Sequence, residues 1–125
     1  MFILTKFYQN TKRRAMYIKN QSLATPVDLE KIDLSEFIVI DLRGRGYFLI
    51  SHIKDALNIE SLQRIAFIAQ ENADKKILLY CHSGATAADF GTQLAQKGFH
   101  NIYYVDENYF NLAKYGIVIE GEGVG

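Results

Sequence analysis

Three short apolar runs without polar alternation constrain the fold of this chain most strongly. They are FIVI at residues 37–40, ILLY at residues 77–80 and IYYV at residues 102–105. An uninterrupted apolar run of this length predicts a strand that is covered on both faces, which is typical of parallel sheets. Stretches with helical spacing separate the runs, so we expect an α/β sheet with helices on both faces.

Helical spacing is clearest in two stretches. Residues 61–70 place apolar side chains at helical intervals, and the hydroxyl of Ser61 can cap the first turn. Residues 85–95 follow the same pattern and stop shortly before Gly98, which predicts a left-handed helix end. These helices would connect neighbouring parallel strands.

Weaker signals complete the predicted order of elements. Thr25 before Pro26 predicts a helix start, because a hydroxyl side chain caps a helix and proline fits its first position. Residues 56–59 indicate a short strand, and residues 109–115 indicate a last short helix. The glycine-rich residues 121–125 are predicted to be a frayed tail.

Polar residues directly follow two of the apolar runs. Asp41 comes after the first run and Cys81 after the second. Right-handed crossovers bring the carboxyl ends of parallel strands to one edge of the sheet, where α/β proteins place their sites. We therefore expect Asp41 and Cys81 at the same edge.

Length and composition predict one globular domain. The chain has 125 residues and a hydrophobic fraction of 49%, enough to bury one core. We expect the domain at residues 23–120, preceded by a basic extension at residues 1–22. Residues 1–27 contain lysines and arginines but no acidic residue. Such a segment can indicate a nucleic-acid or anionic-membrane partner, but terminal charge runs are usually solvated and inert, so no nucleic-acid partner is expected.

The cellular location is inferred from what the sequence contains. A single cysteine allows no internal disulfide, which fits a reducing compartment. No apolar run approaches the ~20 residues that a membrane helix needs. The first residues show no signal-peptide pattern, although Met16 leaves a second translation start open. We expect a cytoplasmic protein with no membrane span.

The cysteine lies in a turn of small residues between a predicted strand and a predicted helix. A thiolate is the reactive form of cysteine, and positive potential at a helix start favours it. A tight loop containing Gly84 can also direct backbone N–H groups inward as an anion-binding nest. The hydroxyls of Ser83 and Thr86 offer further donors. The alternative is a buried structural cysteine, and position alone does not separate the two interpretations.

Three segments resemble the rhodanese-like family, over most of residues 23–115. Residues 40–59 are similar to a strand-ending Asp-x-Arg, followed by Gly-His-Ile and Ala-x-Asn segments. Residues 81–86 are similar to the family's loop Cys-Arg-x-Gly-x-Arg. Residues 98–103 look like the stretch that enters the next strand.

The resemblance implies a fold and a chemistry. The fold would be a three-layer sandwich with about five mostly parallel strands between helices. The chemistry would be sulfane-sulfur transfer through a persulfide on a catalytic Cys81, without metal or organic cofactor. Partners would be a small sulfur donor or acceptor, such as a persulfide or thiosulfate, or a sulfur-relay protein. The expected substrate-binding residues are His82, Ser83, Gly84, Ala85 and Thr86.

The departures from the family pattern predict weak thiosulfate activity. His82 and Thr86 stand where the family has loop arginines, so the bidentate grip on an oxyanion is missing. Ser51 replaces a glycine, and Tyr47 replaces an acidic residue. Glu107 places an acid where the rim of the pocket is expected, which disfavours a dianionic donor.

Other polar residues are assigned supporting roles. Asp41 and Arg43 are expected to form an ion pair or hydrogen-bonded brace under the loop. His52 is expected to fix the preceding loop through a hydrogen bond, and His82 to line the site rather than act as a base.

Competing functions lack specific atoms. Cysteine phosphatases of related architecture need an arginine six residues after the cysteine, where this chain has Ala87. Thioredoxin-like exchange needs a second cysteine at the position of Gly84. A Cys–His protease is disfavoured because His82 adjoins Cys81 in the chain. The remaining alternative is a non-catalytic rhodanese-like module that binds a protein or a small anion.

Overall fold

The computed structural model describes residues 17–124. Residues 1–16, with most of the predicted basic extension, lie outside the described residues. The strands are β1 Thr25–Pro26, β2 Phe37–Asp41, β3 His52–Ile53, β4 Leu57–Asn58, β5 Lys76–Tyr80, β6 Ile102–Tyr104 and β7 Ile119–Glu120. The helices are α1 Arg45–Ile50, α2 Leu62–Glu71 and α3 Ala85–Gln96, with 3₁₀ helices at Leu34–Glu36 and Tyr109–Tyr115.

The main sheet has five strands in the order β1-β6-β5-β2-β4. Every neighbouring pair in it is parallel. Strands β3 and β7 form a separate antiparallel pair. The predicted α/β class with a five-stranded parallel sheet is confirmed.

Both faces of the sheet are covered, which explains the uninterrupted apolar runs. In β5, Ile77 and Leu79 point into the core under α2 and α3. Leu78 and Tyr80 point into a second core on the opposite face, where Phe48 of α1 and Leu112 of the second 3₁₀ helix pack. A central strand buried on both sides has no need for polar alternation.

Two predicted helix boundaries are confirmed. Ser61 caps α2, because its Oγ accepts the backbone N–H of Arg64 at 3.2 Å. Gly98 follows α3 with φ of +97°, and its N–H donates to the carbonyl of Ala95 at 2.9 Å. Both ends therefore follow the local chemistry of their residues.

The helix start predicted at Thr25 is wrong. Thr25 and Pro26 form β1, an edge strand that runs parallel to β6. The residue before a proline favours extended backbone, and an edge strand tolerates the missing proline N–H. The N–H of Val27 then donates to the carbonyl of Tyr104 at 3.1 Å. The capping signal of Thr25 was outweighed by this pairing.

The frayed tail expected at residues 121–125 is instead hydrogen-bonded over most of its length. It continues from β7, which pairs with β3. The N–H of Glu122 donates to the carbonyl of Leu49 at 2.9 Å, and that of Gly123 to Ile50 at 2.8 Å. Gly121, with φ of +141°, allows the close approach that a side chain would block. Gly121 therefore lets this segment pack closely against the backbone of Ile50.

Residues 19–22, which precede the expected domain boundary at residue 23, are hydrogen-bonded to the rest of the domain. The backbone N–H groups of Lys19 and Asn20 donate to the carboxylate of Asp106 at 2.6 and 2.9 Å. The Oγ of Ser22 donates to the carbonyl of Ala88 in α3 at 2.8 Å. Residues 19–22 are therefore attached to the body of the domain. In the described residues, no helix has the length and apolarity needed to cross a membrane.

Candidate active site

Cys81 lies at the carboxyl edge of the main sheet, between β5 and α3. Strand β5 ends at Tyr80 and α3 begins at Ala85. Asp41 pairs with Tyr80 in register across β2 and β5, so Asp41 and Cys81 are at the same edge, as the topology argument requires. Only 6% of the Cys81 surface is exposed.

Two backbone amides point at the sulfur. The Sγ of Cys81 accepts the N–H of Gly84 at 3.2 Å and the N–H of Ala87 at 3.4 Å. Ala87 belongs to the first turn of α3, where backbone N–H groups precede the intrahelical bonds. The loop thus supplies the inward-facing dipoles that stabilise an anion.

The predicted loop residues do not all reach the sulfur. Ser83 uses its Oγ within the loop, accepting the N–H of Ala85 at 3.5 Å. Thr86 is an exposed residue at the start of α3. Ala87 was missing from the predicted set, although counting the amides of the first helical turn could have found it.

Gly84 has the backbone conformation that aims these amides. Its φ is +97°, in the left-handed region that disfavours other residues. A Cβ atom at this position would lie 3.0 Å from Nδ2 of Asn20 and 3.2 Å from Cα of Asp106. Both its conformation and its surroundings therefore require glycine.

The side chain of His82 lies against Tyr47 of α1. Its ring contacts that of Tyr47 edge-on, with the ring centroids 4.6 Å apart. Both residues are exposed. The carbonyl of His82 accepts the backbone N–H of Tyr109 at 2.8 Å, which ties the loop to the second 3₁₀ helix.

A buried brace lies beneath the loop. The Nη2 of Arg43 donates to Asp41 Oδ2 at 2.7 Å, and its Nε donates to Asp41 Oδ1 at 3.0 Å. The Tyr80 hydroxyl donates to Asp41 Oδ2 at 2.5 Å. Burial raises the pKa of Tyr80, and the neighbouring Asp41 carboxylate raises it further, so this hydroxyl keeps its proton. These bonds satisfy the buried carboxylate.

Arg43 extends the brace to the rim of the site. Its Nη2 also donates to the carbonyl of Ser51 at 2.6 Å, and its guanidinium lies 3.9 Å from the ring centroid of Tyr109. The hydroxyls of Tyr109 and Ser51 are 2.9 Å apart and hydrogen-bonded. Ser51 has an extended backbone that any residue adopts, which explains why no glycine is needed there.

His52 is held by residues of α1 and β7, and it is not one of the hydrogen-bond donors to the Cys81 sulfur. Its Nδ1 lies 2.6 Å from the carbonyl of Phe48, and the two rings stack with centroids 3.8 Å apart. Its Nε2 lies 3.2 Å from Oε2 of Glu120 in β7. His52 therefore joins α1 to the C-terminal strand.

The Glu107 carboxylate accepts hydrogen bonds from three residues that follow it in the chain. Its Oε1 accepts the N–H of Asn108 at 2.6 Å and the Nδ2 of Asn111 at 3.1 Å, and its Oε2 accepts the hydroxyl of Tyr115 at 3.2 Å. It lines a cavity of about 450 Å³ that no residue of 81–86 lines. The donors from Asn108, Asn111 and Tyr115 hold the carboxylate in this place. The expected repulsion of a dianionic donor by Glu107 stays a prediction.

Comparison with known proteins identifies the domain type. A family model described as "Rhodanese-like domain" matches residues 20–114. The solution NMR structure of protein hp1203 from Helicobacter pylori superposes with a TM-score of 0.69 and 28% identity, covering 77% of this chain and 88% of that one.

Curated relatives carry different names. A tRNA uridine(34) hydroxylase of Photorhabdus laumondii is 24% identical over an alignment of 91 residues that covers 68% of this chain and 26% of that protein. Thiosulfate sulfurtransferase GlpE of Pseudomonas savastanoi is 28% identical over 69 residues, which are 55% of this chain and 65% of that protein. The chain thus spans about a quarter of the first of these relatives and less than two thirds of the second.

Proposed function

This chain belongs to the rhodanese-like domain family, and from that premise we propose that it carries sulfane sulfur as a persulfide on Cys81. The observation that carries the proposal is the pair of N–H groups, from Gly84 and Ala87, directed at the Cys81 sulfur. The similarity to a protein named thiosulfate sulfurtransferase supports the same class of reaction.

The reaction consists of two displacements at sulfur. The thiolate of Cys81 attacks the outer sulfur of a donor persulfide, the donor's S–S bond breaks, and the donor leaves as a thiol with the proton. A Cys81 persulfide results. An acceptor nucleophile then attacks the outer sulfur, and the Cys81 thiolate leaves with the bonding electrons, so there is no net oxidation. Covalent catalysis of this kind replaces one difficult transfer by two easier ones.

The backbone of residues 82–86 would stabilise the anionic outer sulfur. The first intrahelical bond of α3 runs from the N–H of Ala88 to the carbonyl of Gly84. The N–H of Thr86 precedes it in the first turn of the helix, where an anion is favoured. No general base is needed once the thiolate has formed.

The loop side chains favour a donor of low charge. His82, Ser83 and Thr86 provide no permanently charged group. Thiosulfate is a dianion that arginine binds through paired, charge-assisted hydrogen bonds. We therefore propose low-molecular-weight persulfides or a sulfur-relay protein as donors, in a reducing compartment such as the cytoplasm. We propose no tRNA substrate for this chain, because its alignment with the tRNA uridine(34) hydroxylase covers 26% of that protein.

Intact-protein mass spectrometry tests the proposal. Native protein is exposed to glutathione persulfide and compared with Cys81→Ser. We expect one added sulfur atom in the wild type and none in the variant, and we expect a thiol acceptor to remove it.

A non-catalytic binding module is the second candidate, and the 6% exposure of Cys81 favours it. In that case no sulfur is added, and Cys81 reacts with iodoacetamide as slowly as a buried thiol. Both results together would replace the sulfur-carrier proposal by the binding module.

A further inference from the structure

One residue far from the cysteine in sequence contacts the peptide unit that faces the sulfur. The Nδ2 of Asn20 donates to the carbonyl of Ser83 at 3.3 Å. That carbonyl and the N–H of Gly84 belong to the same peptide bond, and the N–H donates to Cys81 Sγ at 3.2 Å. In a trans peptide these two groups point in opposite directions. A donor on the carbonyl therefore fixes the direction of the N–H.

The orientation of the Asn20 amide is set by its neighbours. Its Nδ2 lies 2.9 Å from Oδ1 of Asp106 and 3.3 Å from the carbonyl of Ser83. Both neighbouring atoms are acceptors, so only the NH₂ group satisfies them. Each of its hydrogens then has a partner, which holds the amide plane in place.

The backbone of Asn20 is also held. Its N–H donates to Oδ1 of Asp106 at 2.9 Å, and its carbonyl accepts the hydroxyl of Tyr104 at 2.5 Å. Burial, with a contribution from Asp106, raises the pKa of Tyr104 to about 12, so the hydroxyl remains a donor. Asn20 is thus connected to the end of β6 on one side and to the cysteine loop on the other.

We infer that Asn20 is a positioning residue that holds the Ser83–Gly84 peptide with its N–H toward the sulfur of Cys81. This role rests on the proposed function, since it is the anionic sulfur that the aimed amide stabilises. A hydrogen bond to the carbonyl also polarises the peptide, which strengthens donation from its N–H. Residue 20 lies within the extension expected from the sequence, so the sequence did not point to this role.

Asn20→Ala removes the side-chain donor and keeps the backbone bonds. Two measurements test the variant without a sulfur donor. One is the rate at which Cys81 reacts with uncharged iodoacetamide, and the other is the NMR resonance of the Gly84 amide proton. We expect reaction to be about threefold to tenfold slower, the change that one net hydrogen bond is worth. The Gly84 resonance should move upfield while that of Ala87 stays in place.

A merely structural role predicts the opposite sign. Loosening the loop would expose a sulfur that is now 6% exposed, and alkylation would accelerate. Ser22→Ala is the matched control, because Ser22 attaches the same segment to α3 through Ala88 and Thr92 without a bond to the loop. Its stability loss should be similar, and its alkylation rate should match that of the wild type.

Asn20→Leu provides a second variant if Asn20→Ala does not fold. It keeps approximately the size of the side chain and removes the donor to Ser83 without adding a charge beside Asp106, so slower alkylation is again expected. Unchanged or faster alkylation in folded Asn20 variants, or equal slowing in Ser22→Ala, would overturn the inference. Neither experiment involves sulfur transfer. If Cys81 took up no sulfur, the role of Asn20 in orienting the amide would still be supported, and if the Asn20 variants behaved like the wild type, the proposed function would be unaffected.

Discussion

At the scale of single residues, the sulfur site depends on backbone geometry more than on side-chain charge. Gly84 shows this directly, because its left-handed conformation directs its N–H at Cys81. The side chains of the loop add no permanent cation. Substitutions that move the backbone should therefore have larger effects than substitutions of exposed loop side chains.

Gly84→Ala should destabilise the protein and slow the reaction of Cys81. A left-handed conformation costs a non-glycine residue about 1–3 kcal/mol, and the new Cβ would also crowd Asn20 and Asp106. Urea denaturation and the iodoacetamide rate check both effects. Gly46→Ala in α1 is the control, since a Cβ there meets no atom within 4 Å, and it should not weaken the fold. Wild-type stability in Gly84→Ala would contradict this assignment.

Introducing arginines at the two loop positions should raise the thiosulfate activity. The double substitution His82→Arg with Thr86→Arg adds donors for the oxyanion, and charge-assisted bonds of this kind are worth at least about tenfold in turnover. Transfer from thiosulfate to cyanide measures it. The control is Gln63→Arg with Gln70→Arg, which adds the same charge on the exposed side of α2. An equal gain in the control would assign the effect to net charge instead of the loop.

Breaking the buried brace should cost far more than breaking a surface pair. Asp41→Asn leaves the Arg43 guanidinium, with a side chain 3% exposed, without its counter-ion. Removing one partner of a buried pair costs about 3–5 kcal/mol. Urea denaturation measures the loss. Asp55→Asn, which affects an exposed pair with Lys54, should change stability by less than about 1 kcal/mol; similar losses in the two variants would show that the brace has no special role.

At the scale of secondary-structure elements, the 3₁₀ helix Tyr109–Tyr115 connects several parts of the site. Its first residue donates to the loop carbonyl of His82 and stacks on Tyr80 of β5. Glu107 accepts hydrogen bonds from the start of this helix and from Tyr115 at its end. The helix is therefore held at both ends by one carboxylate.

This contact should make stability depend on pH. Burial opposes the shift, but hydrogen bonds from Asn111, Asn108 and Tyr115 outweigh it and hold the pKa of Glu107 below its ordinary value. A carboxyl group with a lowered pKa contributes stability at neutral pH that is lost as the pH falls through the acidic range. Glu107→Gln should lower the urea midpoint at neutral pH, and its difference from the wild type should shrink in acid. A constant difference would contradict the assigned hydrogen bonds.

Helices and strands could be predicted where the sequence signal is local, as at a helix cap, or extends over several residues, as in an apolar run. The runs at residues 37–40, 77–80 and 102–105 became strands because each is buried on both faces. Strands β1 and β7, of two residues each, were not predictable, since they exist only through pairing with distant partners. Local capping rules predicted the start of α2 correctly. They misassigned Thr25, because its strand forms only by pairing with the distant β6.

At the scale of the whole molecule, the site combines segments that are distant in sequence. Asp41 and Cys81 could be placed at one edge from the sequence, because parallel topology brings strand ends together. The pairing of Asp41 with Arg43 was implied by the resemblance to the family. Asn20 could not be predicted as part of the site, because its contact with Ser83 spans 63 positions and depends on where β6 ends. The hydrogen bonds of Glu107 could not be predicted for a similar reason, because two of its donors come from the folded 3₁₀ helix.

The fold therefore presents one cysteine, two directed amides and a brace at a single sheet edge. Under the proposed function, this arrangement would accept and release sulfur without moving the sheet, since the groups that hold the loop are buried or hydrogen-bonded. The central claim is that backbone amides suffice for this task in the absence of loop arginines.

Single-turnover transfer of isotopically labelled sulfane sulfur tests this claim most directly. The native protein is mixed with one equivalent of a labelled low-molecular-weight persulfide and then with an acceptor thiol, and the label is followed by mass spectrometry. The account predicts that the label appears on Cys81 and then passes to the acceptor, and that Cys81→Ser does neither. Label that reaches Cys81 only after the protein is unfolded would contradict it.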